Sequence, residues 1–277
     1  MKKKKYTLKS LVGMALQYQL DDRYEDQYWS IMSQLRLGAT PETVLLGQKF
    51  YQSHNWHKRL LAVNIFNQLF TKDETGKSIH YAVEESQAIL CEALNETNIE
   101  IIGSAICGLG HRPTPRALPH LIYFANHEDA SIRYHLACAL GSYDDNIAID
   151  TLVKLATDED DDVRNWATFE LGSIHTDIDN PTIREVLWHN VFDENHDVSG
   201  EALRGLAERK DLRIIEVLKE RLTPDCWVYE FEAAELMADP SLYPYLESIQ
   251  KSIEHEDCDS FWISCLLSAM EACKPKG

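Results

Sequence analysis

No stretch of the chain approaches the ~20 consecutive apolar residues that a membrane-spanning helix requires, so no membrane role is expected. Basic residues are scarce. The 27 Lys and Arg stand against 45 Asp and Glu, a formal net charge of −18. Nucleic acid is therefore a poor partner, because affinity for phosphate comes mainly from Lys and Arg. Cysteines are few, odd in number and form no CxxC pair: Cys91, Cys107, Cys138, Cys226, Cys258, Cys265 and Cys273. A secreted disulfide framework wants an even count in a shorter chain. Free thiols in a reducing, cytoplasmic compartment are expected instead, with Cys107 and Cys138 acting as small hydrophobes inside apolar helical runs. Also missing are HExxH, a glycine-rich phosphate loop, a nucleophile elbow and paired Cys/His spacing. His54 and His57 are three apart and can share a helix face, which reads as surface or cap chemistry rather than a metal site. No metal and no cofactor are implied. Strand signals are almost absent.

What remains is ample for folding. A chain of 277 residues can bury roughly 75% of its unfolded surface, as one domain, two, or one repeat array. Its acidic excess serves either a basic partner or solubility. Lys2–Lys5 resembles the start of a signal peptide, but Tyr6–Ser10 interrupts the apolar stretch that should follow, so the run reads as a solvated tail.

Internal repetition is the strongest signal. Five ten-residue segments align, beginning at Ile101, Ile132, Val163, Val198 and Val228, with Leu at the ninth position (Leu109, Leu140, Leu171, Leu206, Leu236). Position five is Ala105, Leu136, Ala167 and Ala202; in the last segment Glu232 takes that place and Ala233 follows. Positions one, five and nine fall on one helical face, which must be buried. A second helix precedes each segment, around Arg116–Ala125, Ala148–Ala156, Ile183–Phe192, Ile214–Leu222 and Leu242–Ile249. Pro119 and Pro181 sit near helix starts. Acidic or polar turns such as Asn126–Asp129, Asp158–Asp162 and Asp193–Asp197 lead into the motif helices, where carboxylates cap free N–H groups. Asp144-Asp145 reads as helix-stop chemistry. Residues 71–78 read as a longer polar connection between repeats.

The V-R-x-x-A-x-x-x-L-G pattern after an Asp-rich turn resembles the HEAT repeat, notably its bacterial short form. It is clearest at Val163-Arg164…Ala167…Leu171-Gly172 and Ile132-Arg133…Leu140-Gly141. The resemblance implies an all-α, right-handed α-solenoid: a helical cap over residues 1–38, repeats over 39–237 and a C-terminal repeat or cap over 238–277. Stacked neighbours would share one core, because no unit buries its apolar face alone. The resemblance further implies that the motif helices line a concave wall and that Arg133 and Arg164 form a structural ladder to nearby Asp residues. A capped solenoid implies a monomer before complex formation.

Candidate binding residues follow. Asp160, Asp161 and Asp162 belong either to a solvated capping turn or to a contact with a basic partner. The spacing and glycine of an EF-hand are absent. Tyr134 and Trp166 are candidate aromatic anchors, joined on the motif helices by Asn165, Glu170, Glu201, Arg204 and Glu230. Trp166 can equally be core. Trp166, Glu170 and Arg204 together are similar to the site of HEAT-like alkylpurine DNA glycosylases, which need a basic groove that this acidic chain lacks. Short HEAT repeats also resemble phycobilin lyase subunits, but no chromophore nucleophile or pocket is evident. The stretch Leu11–Arg36 is similar to the start of HEAT-repeat immunity proteins encoded beside Rhs-type polymorphic toxins. The expected function is thus a non-enzymatic binder that neutralises a basic toxin domain, with a general protein-interaction scaffold as the alternative and an enzyme as a more distant one.

Overall fold

A computed structural model describes residues 6–253 and 259–275. The Lys2–Lys5 run and Cys258 fall outside them. The chain divides into two compact units, Met1–Tyr143 and Asp144–Gly277.

The first unit contains α1 (Leu8–Tyr18), α2 (Glu25–Leu37), α3 (Pro41–Tyr51), α4 (Trp56–Phe66), α5 (Val83–Ala93), α6 (Ile99–His111), α7 (Leu118–Leu121) and α8 (Ala130–Leu140). A 3-10 turn over Ile122–Asn126 extends α7. The second contains α9 (Asn146–Leu155), α10 (Asp161–Phe169), α11 (Pro181–Asn190), α12 (His196–Glu208), α13 (Ile214–Arg221), α14 (Val228–Met237), α15 (Tyr243–Ser252) and α16 (Ser260–Cys273). The polar connection expected over 71–78 holds a small antiparallel hairpin, β1 (Phe70–Lys72) with β2 (Ser78–His80), pairing Thr71 with Ile79. Asp73 closes it by accepting the backbone N–H groups of Thr75 and Lys77, both at 2.9 Å. An Asx turn supplied the reversal that alternation alone did not announce.

The motif helices start alike. Asn55, Asn98, Asp129, Asp160 and Asn195 each lend a side-chain oxygen to N–H groups in the first turn of α4, α6, α8, α10 and α12. Such a cap is worth about 1 kcal/mol. Asp145 is likewise the N-cap of α9, so Asp144-Asp145 starts a helix rather than stopping one.

Packing follows the repeat pattern through four segments. Ile101, Ala105 and Leu109, and their counterparts at Ile132, Val163 and Val198, are all essentially inaccessible. Each Ile, Val and Leu among them contributes roughly 1.5–3 kcal/mol by leaving water. The fifth segment departs from it. Val228, Glu232 and Leu236 are only partly buried, while Phe231, Ala233, Ala234 and Met237 form the core face. A charge at position five cannot enter the core unpaired, and Phe231 packs edge-on against Trp262 of α16 at 4.8 Å. Met237, 31 residues after Leu206, is the true counterpart of the repeat leucine.

Arginines stitch the helix ends. Arg59 donates to the carbonyls of Ser53 and His54, Arg133 to those of His127 and Glu128, and Arg164 to those of Asp158 and Glu159. In each case one guanidinium closes the turn five and six residues before it. Arg59 then pairs with Glu96 at 2.7 Å and Arg164 with Asp193 at 2.8 Å, in the next repeat.

Candidate functional site

In the second unit α10, α12, α14 and α16 pack in sequence order, and all but one of the candidate residues belong to their starts and faces. Asp160 caps α10, accepting from Asp162 N and Val163 N at 3.1 Å. Asp161 pairs with Arg164 at 2.8 Å while remaining mostly exposed. Asp162 is exposed. The Asp run is therefore both a cap and an acidic surface.

Beyond the cap, α10 does not continue as a regular helix. Residues Glu170–Ile174 form a π-helical turn, closed by His175 N–H donating to Glu170 O at 2.9 Å. The extra residue in a π turn breaks a 3.6-residue projection, although Leu171 still reaches the buried face. Trp166 is half-buried and meets Phe169 edge-on at 5.4 Å. Glu170 is buried, 6% exposed, and burial pushes its pKa up to about 7. The turn also brings backbones together: a Cβ on Gly205 would lie 2.6 Å from Gly172 Cα, so α12 reaches the π turn only because both residues are glycine.

One polar cluster bridges the helices. Ser173 Oγ donates to Glu201 Oε2 at 3.1 Å, and Arg204 donates to Ser173 Oγ at 3.3 Å. Arg204 also lies 3.7 Å from Glu232 Oε2. Burial raises the Glu201 pKa against the opposing effects of Ser173 and Arg204. Glu230 is buried, 8% exposed, with Oε2 lacking a hydrogen-bond partner, and burial raises its pKa as well. Asn165 Oδ1 is a second buried acceptor without a partner.

The structure thus joins Glu201 and Arg204 through Ser173, with Glu232 beside Arg204, leaves Asp161 and Asp162 exposed, and leaves Trp166 half-buried. Glu170 and Glu230 present almost no surface as they stand: a helix projection treats glutamates as exposed, and here packing overrides it. Tyr134 belongs to the first unit, half-buried on α8 and edge-on to His135 at 5.7 Å.

Sequence reasoning treated the aromatic-rich N-terminus as a cap. A cavity of about 480 Å³ opens beside it, lined by Tyr18, Trp29, Asn64, Glu100, Cys107 and His135 among others. Cys107 Sγ lies 3.3 Å from His135 Nδ1. Burial raises the thiol pKa and lowers that of the imidazole. Among the described residues no group of three or more His, Cys, Asp or Glu is placed to hold a metal, and no helix is long and apolar enough to cross a membrane.

Residues 88–172 match the family model for HEAT repeats. The crystal structure of the Escherichia coli protein YIBA is similar over 99% of this chain and 98% of its own, at 24% identity and a TM-score of 0.71. The fold is an α-solenoid of HEAT-like helix pairs. A crystallised engineered protein is similar over 95% of this chain and 78% of its own, at 18% identity and a TM-score of 0.55. No curated protein matches by sequence. These likenesses describe the scaffold; function rests on what the side chains offer.

Proposed function

We propose that the chain is a non-enzymatic protein-binding module, an immunity protein that holds and neutralises a basic toxin domain. The observation that carries this reading is charge. A net −18 is displayed in part as carboxylates on the motif helices α10 and α14, where Asp161, Asp162 and Glu232 reach solvent. Such a surface attracts a cationic partner over long range, speeds encounter and rejects acidic competitors. Trp166 offers a partly exposed ring beside it, the kind of anchor that carries binding energy at interfaces. The resemblance of Leu11–Arg36 to immunity proteins of Rhs-type toxin loci supplies the toxin as partner class.

The test is genetic and physical together. The gene is expected beside one encoding a toxin domain rich in Lys and Arg. Co-expression of the two should restore growth that the toxin alone abolishes, and the proteins should purify as one stoichiometric complex. A neighbouring toxin that kills equally with and without this chain contradicts the proposal.

A further inference from the structure

The end of α10 is held by a residue from the next repeat, whatever the partner of the chain. A regular helix would give the His175 N–H to the Leu171 carbonyl, four residues back. It donates instead to Glu170 O at 2.9 Å, five residues back. Leu171 O has another donor. Arg209, the residue that follows α12, sends one terminal nitrogen to Leu171 O at 2.7 Å, to His175 O at 2.8 Å and to Ile178 O at 2.9 Å. Its other terminal nitrogen reaches Gly205 O at 3.0 Å and Gly172 O at 3.4 Å. All of these carbonyls except that of Gly205 belong to the π turn or to the segment that leaves it. The arginine is buried, 6% exposed. Hydrogen bonds from a charged donor are stronger than those from a neutral amide, so the guanidinium keeps Leu171 O from the His175 N–H. Gly172 and Gly205 leave room for this arrangement, but they do not hold it.

Two other repeats show what a donor in this place does. Arg209 is the twelfth residue counted from Val198; the twelfth from Ile101 is Arg112, and the twelfth from Ile132 is Tyr143. Arg112 donates to Asn67 O at 3.1 Å and to Leu69 O at 2.5 Å, just past α4, and to Tyr81 O at 3.4 Å. There the chain leaves the helix for β1. Tyr143, a neutral donor, gives its hydroxyl to Leu109 O at 3.1 Å. Around that carbonyl α6 stays regular to His111, with the Arg112 N–H on Gly108 O. An arginine here accompanies the break of the preceding α-helical ladder; a tyrosine does not. Arg209 is braced in turn by Arg184, which donates to its carbonyl at 2.7 Å while pairing with Asp179 at 2.7 Å. The effect reaches the surface through Ser173, which lies in the π turn and joins Glu201 to Arg204. Successive helical residues stand about 100° apart around the axis, so losing the extra residue would swing Ser173 away from both. Every bond of Arg209 given above runs to a carbonyl, and it acts on these side chains through the backbone.

We propose that Arg209 is a latch and that the end of α10 is a two-state element, which the latch holds in its π form. With the latch withdrawn, the His175 N–H returns to Leu171 O, the turn relaxes to α-helix and Ser173 leaves Glu201. The test compares the full native chain with Arg209→Met, which keeps the bulk of the side chain and removes every donor. Crystal structures should show the His175 N–H on Leu171 O in the variant, with Ser173 Oγ out of hydrogen-bond reach of Glu201. Amide hydrogen exchange should become roughly tenfold faster or more over residues 171–178, while the amides of α12 and α14 change by less than about twofold. Ser173→Ala removes the bridge but leaves the latch, and should alter neither the turn nor its exchange. Should Arg209→Met not fold, Arg209→Lys is the second variant. Its ammonium cannot span the carbonyls that the fork reaches, and exchange over the same residues should rise roughly threefold. A π turn kept with native exchange in the arginine variant would overturn the latch. Faster exchange spread evenly over α10, α12 and α14 would do the same, because Arg209 would then be a general support of the core. Loss of the π turn in Ser173→Ala would also overturn it, since the surface bridge would be what holds the turn.

Discussion

Arg164 commits every nitrogen it has: Nε and one amino group to Asp193, the same amino group to Asp161, and the other to two carbonyls of its own capping turn. Its side chain is 17% exposed and that of Asp193 12%, so the pair sits between the weak surface and costly buried regimes. Arg164→Ala should destabilise the chain by about 2 kcal/mol in chemical denaturation, because two carbonyls and a shielded carboxylate lose their donor together. Arg164→Lys should recover less than half, since an ammonium lacks the fork. A loss below ~0.5 kcal/mol would reduce the ladder to surface decoration. Glu170 acts in the opposite direction. Its folded pKa of about 7 lies above the ~4.3 of an unfolded glutamate, so its protonated form stabilises the fold. That contribution is complete below pH ~4 and is lost as pH rises toward 7. Glu170→Gln should therefore match the native chain in acid and exceed it at pH 8, by on the order of 2–3 kcal/mol. Parallel stability curves from pH 4 to 8 would contradict the buried carboxylate.

At the scale of the helix, the Asx caps and the β-branched, small and Leu positions of the first four motif segments were legible because each expresses a local rule: an oxygen for the first N–H groups, an apolar stripe every turn. The fifth segment was misread by one position because its register is decided by Phe231 against Trp262, a contact 31 residues apart that periodicity cannot register. The same helix departs from the rule at both ends. Trp227 replaces the Asx cap without a side-chain bond, and Ala238 closes it in the left-handed region at φ 52°. A Cβ there is disfavoured by ~1 kcal/mol. Ala238→Gly should raise stability by about 0.5–1 kcal/mol, visible as a higher melting temperature with unchanged helicity. An unchanged or lower melting temperature would show that the strain is absorbed elsewhere. The π turn at Glu170 was equally illegible, since it depends on the close approach of Gly172 and Gly205.

Across the whole molecule, the solenoid was readable from a period repeated several times, whereas the cavity was not. Its walls gather residues from Tyr18 to His135, each ordinary in its own helix. The acid excess was plain from composition, but which carboxylates reach solvent was not: Asp161 and Asp162 do, Glu170 and Glu230 do not. If acidic attraction is what recruits a partner, affinity must fall with ionic strength, because charges more than ~8–10 Å apart are screened at 0.1–0.15 M salt. The direct measurement is capture from native lysate on the full chain, with proteins identified by mass spectrometry, at low and at high salt. Recovery of one basic, toxin-like polypeptide in stoichiometric amount, its association rate slowed by salt and by Asp161→Asn with Asp162→Asn, is the predicted result. Recovery of no protein, or of nucleic acid and small metabolites alone, would contradict the account.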